Sequence, residues 1–71
     1  MNKQDFAAAI SRRADSMLRE SRGAWRKGQC LFNALYWFDA ELADIIRATP
    51  ADPFYRDERI PAFWKELLGE L

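Results

Sequence analysis

The sequence has no histidine, no valine and a single cysteine, Cys30, among its 71 residues. With no imidazole and one thiol, neither a zinc site of the usual ligands nor an internal disulfide can be assembled. The Ser-His and Cys-His couples of hydrolases lack their base for the same reason. Strand signals are missing too: polar and apolar residues do not alternate for long, and no Asn-Gly or Asp-Gly turn joins apolar segments. The longest apolar runs, Ala34 to Phe38 and the equally long Phe6 to Ile10, are far short of the ~20 residues that span a bilayer. Asp5 ahead of a short alanine run, with arginines behind it, does not have the shape of a signal peptide. Together with the lone thiol, these absences lead us to expect a protein of a reducing cytoplasm with no membrane partner.

Net charge is absent as well, with 11 Lys plus Arg against 11 Asp plus Glu. The balance hides an asymmetry. Residues 1–28 hold seven basic and three acidic side chains, a net of +4, whereas residues 29–71 hold four basic and eight acidic, a net of −4. What the chain has in quantity is apolar mass, 49% of its residues, ten of them aromatic. Large rings raise the area buried per residue, which a short chain needs for a stable core. We therefore expect one ordered helical domain over residues 1–71.

The periodicity is helical throughout. Phe6, Ile10, Ala14, Met17 and Leu18 recur at steps of three and four, with Arg12, Asp15, Arg19 and Arg22 opposite. This predicts an amphipathic helix from Asn2 or Gln4 to about Ser21, stopped by Gly23. From about Trp25 to Phe38, an apolar face of Gly28, Leu31, Phe32, Ala34, Leu35 and Phe38 is flanked by Cys30, Tyr36 and Trp37, also apolar. A helix apolar almost all round is expected at the centre, contacted on several sides. Asp39 is placed to cap a short third helix with Leu42, Ile45 and Ile46 inward and Glu41 and Asp44 outward. That helix cannot continue through Thr49-Pro50. Two prolines, Pro50 and Pro53, make residues 49–55 a stiff connection. Ile60, Phe63, Trp64, Leu67, Leu68 and Leu71 then form a last helical stripe with Pro61 in its first turn. The expected class is all-α: a small bundle of three longer helices and one short helix around a central hydrophobic helix.

Three groups of residues are candidates for function. In the segment Asp52 to Arg59, one reading has Phe54 plugging the core between the second and last helices while Asp52 and Asp57 cap backbone amides. The other makes Tyr55, Arg56 and Arg59 an exposed anchor for a partner. Gln29 and Asn33, one turn apart on an apolar helix, are expected either to tie that helix to the Pro-rich connection or to contact a ligand. The basic group Arg12, Arg13, Arg19, Arg22, Arg26 and Lys27, with Trp25 among them, fits a solvated face with Asp15 paired to Arg19, a nucleic-acid contact, or an acidic protein surface. Cys30 is expected to be inert core. Glu41, Asp44, Glu66 and Glu70 are carboxylates without a desolvated cleft, so no catalysis and no cofactor are expected.

The stretches Gly28 to Leu35, Glu41 to Thr49 and Asp52 to Phe63 resemble a group of short uncharacterised phage and prophage proteins sharing GQ..FNAL, LA..IRGT and DPFY.D.RI..F. The likeness covers residues 25–68. It departs from the pattern at Ala48, where glycine is usual, and at Asp39-Ala40, where a proline commonly precedes the acidic residue. An alanine at that helix end disfavours a left-handed turn. The resemblance implies a phage or bacterial origin and supplies no ligand or catalytic residue. With the composition, it leads to the expectation of a small protein-binding module, such as a phage-encoded modulator of a bacterial host protein, located in the cytoplasm of that cell. Its contact residues would be Arg12, Arg19, Arg22, Trp25, Arg26, Tyr55, Arg56 and Arg59. The alternative is a DNA- or RNA-binding accessory protein using the basic first helix. Self-association is a third expectation, the acidic half of one copy meeting the basic half of another.

Overall fold

The computed structural model describes residues 2–69, and these contain four α-helices, one short 3-10 turn and no strand. Helix α1 runs Lys3–Glu20. One of its first free amides is met by Asn2, whose side chain accepts from the Asp5 amide at 2.8 Å, and Asp5 itself favours the positive end of the helix. Ile10 and Ala14 are buried, with Phe6, Met17 and Leu18 half-buried beside them, as the stripe predicts. The chain leaves α1 through Ser21, whose hydroxyl donates to the Leu18 carbonyl and accepts from the Trp25 amide. The left-handed turn begins one residue before the expected glycine, with φ of 54° at Arg22 and 84° at Gly23.

Helix α2, Lys27–Phe38, buries Gly28, Cys30, Leu31, Phe32, Ala34 and Leu35. It packs against α1, against α3 and against the 3-10 turn, so its first two turns are central. Its last turn is not: Tyr36, Trp37 and Phe38 are 49%, 67% and 43% exposed. Phe38, assigned to the inward face by its spacing, makes a T-shaped contact with Phe6 there, at a ring separation of 6.2 Å. The reason is chain path. Asp39 alone separates α2 from α3 (Ala40–Ile46), so the next helix folds back before it can cover that end.

Asp39 caps α3 by accepting from the Leu42 amide at 3.1 Å. Ala43 and Ile46 are buried and Leu42 partly so, but Ile45 is 70% exposed, contrary to the expected inward position. At ~100° per residue it points roughly a quarter turn away from the Leu42, Ala43 and Ile46 side. The 3-10 turn, Asp57–Arg59, leads into α4, Ile60–Leu68, with Pro61 in its first turn and Gly69 left-handed (φ 66°) at its end. Phe63 is fully buried, a contribution of about 1.5–3 kcal/mol. Helix α4 packs on α1 and the 3-10 turn. The expected inward Leu71 lies outside the described residues. No helix among those described is long and apolar enough to cross a membrane.

Candidate functional site

The connection between α3 and α4 is built around Asp52, the one buried charged side chain among the described residues. One carboxylate oxygen accepts from the Ala48 amide at 2.7 Å and the other from the Phe54 amide at 2.9 Å. The first bond holds Ala48 left-handed, φ 63°, despite its Cβ. The alanine was expected to disfavour that turn; two backbone amides gathered by one buried carboxylate offset a cost of roughly 1 kcal/mol. Thr49 adds a bond from its hydroxyl to the Ile46 carbonyl and accepts from the Ala51 amide.

The loop is also fastened to the start of α2. Asp57 accepts from the Gly28 amide at 2.9 Å, capping α2 from outside because Arg26 supplies no side-chain cap there. The Arg26 guanidinium donates to the Phe54 carbonyl. Gly28 lies so close to the Pro53 carbonyl that a Cβ would collide with it. Asp52 and Asp57 thus act on backbone amides. Gln29 and Asn33 do not: both are half-buried, and their side chains make no hydrogen bond among the described residues. The tie expected of them is made by Arg26, Gly28 and Asp57 instead. Phe54 packs edge-to-face on Phe32 at 5.8 Å and on Tyr55 at 4.8 Å, half-buried against the core cluster that includes Phe63 of α4.

Where this loop meets α2 and the end of α3 there is a cleft of about 450 Å³, lined by Phe32, Arg47, Ala48, Asp52, Phe54, Tyr55, Arg56 and Arg59. The Arg47 guanidinium lies over Phe32 at 5.2 Å and over Tyr36 at 5.9 Å, positions favourable for a cation on an aromatic face. Arg59 donates to the Thr49 carbonyl at 3.4 Å. Tyr55 is 79% exposed. A second cleft, about 320 Å³, lies between the end of α1 and Trp25 and is lined by Arg13, Met17, Glu20, Ser21, Ala24 and Trp25.

Of the expected contact residues, the structure gathers Tyr55, Arg56 and Arg59 in the first cleft. Arg12, Arg19, Arg22 and Trp25 are exposed and contribute nothing to that cleft. Arg26 is engaged with the loop. Arg19 hydrogen-bonds Ser16 at 3.3 Å and not Asp15, so the expected pair at that spacing does not form. Arg13 stacks on Trp37 at 4.7 Å. Phe32, Arg47 and Tyr36 were not anticipated as site residues. Tyr36 and Trp37 fall outside the apolar face of α2, which was the one sequence signal available for an exposed aromatic end. Cys30 is fully buried, and burial, reinforced by the Asp57 carboxylate, pushes its thiol above the usual range; such a thiol is a poor nucleophile.

Compared with protein-family models, curated proteins and solved structures, the chain matches none. Fold class and site geometry therefore define it as an all-α bundle with an arginine-and-aromatic surface.

Proposed function

We propose that this chain is a non-catalytic protein-binding module of a bacterial or phage-infected cytoplasm, a modulator of a host protein. One observation carries the reading: Trp25, Tyr36, Trp37, Phe38, Ile45 and Tyr55 are all more than a third exposed, with Arg13 and Arg47 stacked on the exposed aromatics. Trp, Tyr and Arg are the residues that most often dominate binding energy at protein interfaces. The bacterial and phage element rests on the sequence resemblance alone.

Affinity capture from bacterial lysate tests it. The wild-type chain retains a specific protein, and combined alanine substitutions of Trp37, Tyr55 and Arg56 release it. Failure of the wild type to retain any protein contradicts the reading. The second reading, nucleic-acid binding, is favoured by the exposure of Arg12, Arg19, Arg22 and Lys27; none of these forms an ion pair among the described residues. It requires affinity for mixed-sequence DNA or RNA that falls steeply between ~50 and ~200 mM salt.

A further inference from the structure

Residues 29–71 are acidic on balance and contain only four cations, Arg47, Arg56, Arg59 and Lys65. Three of the four line the cleft at the α2 flank. Arg56 and Arg59 are close in sequence, at the approach to the 3-10 turn and in the turn itself, and the fold brings Arg47 to them from the end of α3. The one carboxylate in the wall, Asp52, has both oxygens occupied by the Ala48 and Phe54 amides. Asp44 pairs with Arg47 at 3.0 Å and Glu58 with Arg56 at 3.6 Å, but every one of these side chains is more than half exposed, and neither acid lines the cleft. Solvent-exposed pairs of this kind exchange readily for better partners.

The cleft therefore presents three guanidiniums against walls of Phe32, Phe54 and Tyr55. Guanidinium forks match planar carboxylates, two bonds to one group. Arg47 is held against two rings and Arg59 against a backbone carbonyl, so part of the ordering cost of binding is already met. We propose that this cleft binds an acidic peptide segment of a partner protein. An apolar side chain packs on Phe32, Phe54 and Tyr55, and flanking Asp or Glu carboxylates are taken by Arg47, Arg56 and Arg59. The proposal rests on the protein-binding reading and specifies its partner chemistry. A phosphate chain fits less well, because Asp44 and Glu58 stand beside the arginines and repel a continuous polyanion, whereas a few spaced carboxylates meet the cations alone.

Short random peptides selected on the immobilised full chain test this. Selected sequences carry at least two acidic residues around an aromatic or aliphatic one. A synthetic copy binds the wild type and weakens by about tenfold on Arg56→Ala, and by as much when its own acids become amides. Arg56→Lys, which keeps the charge and loses the fork, recovers only part of the affinity. Tyr55→Ala provides an independent variant on the apolar side, and melting curves establish that each variant is folded. The proposal is overturned by peptides without acidic residues, by no enrichment, by equal affinity for Arg56→Ala, or by displacement of the peptide with a mixed-sequence oligonucleotide. A captured protein that binds Arg56→Ala and Tyr55→Ala as tightly as wild type sinks the cleft while leaving the module reading intact; absence of any captured protein sinks the module reading.

Discussion

The two ends of α2 are built in opposite ways. At the N-terminal end, Gly28 touches the Pro53 carbonyl, its amide is capped by Asp57, and Arg26 reaches the Phe54 carbonyl. At the C-terminal end, Tyr36, Trp37 and Phe38 stand in solvent for roughly half of their surface. One helix is thus an anchor at its start and a display at its finish. An apolar circumference measures how much a helix has to bury, but neighbouring elements decide how much of it is covered.

This contrast can be broken or sharpened by substitution. The largest effect is expected at Gly28→Ala, where the added methyl meets a backbone carbonyl that cannot swing aside. We expect a loss of about 3 kcal/mol in denaturant unfolding; a loss below about 1 kcal/mol would mean that the loop is not firmly held. Asp52→Ala leaves two amides without their acceptor, and should cost about 2–3 kcal/mol. At the open end, Trp37→Ala removes an exposed ring stacked by Arg13 and should cost at most about 1 kcal/mol. Equal losses at Asp52 and Trp37 would erase the distinction between the ends.

Ala48→Gly relieves the left-handed strain beside Asp52, and a gain of about 0.5–1 kcal/mol in unfolding free energy is expected. The smallest effect is nil at neutral pH. Because the native Cys30 thiol is pushed above its usual value of 9.0, the unfolded chain loses that proton first as pH rises. Stability should therefore decline as pH rises past 9.0 towards the native value, by at most about 1.4 kcal/mol per pH unit. Melting temperatures of wild type and Cys30→Ala across this range check it: the variant lacks the decline.

Much of this was legible in local sequence. The α1 stripe, the Asp39 cap, the stop before Pro50 and the Asp52 turn all depend on residues within a few positions of one another, whereas Asp57 caps an amide 29 positions away. Where the reading missed, the missing fact was tertiary. Ile45 lies at the margin of its face and Phe38 at the end of its helix, and nothing local says that no element covers them. Gln29 and Asn33 have hydrogen-bonding groups to satisfy, but they remain half-exposed and need no loop partner. Tyr55, Arg56 and Arg59 could be singled out because they are consecutive or nearly so; Arg47 and Phe32 join them only through the fold. The split into a basic and an acidic half has the same weakness, since the densest set of arginines around one cleft lies in the acidic half.

The central claim is that the cleft at Tyr55 and Arg56 binds a partner without being needed for folding. Its most direct test is the affinity of a captured partner for wild type and for the Tyr55→Ala/Arg56→Ala double variant, measured alongside their melting temperatures. We predict at least about tenfold weaker binding at a melting temperature within about 4 °C of wild type. Undiminished affinity in a folded double variant would contradict the claim.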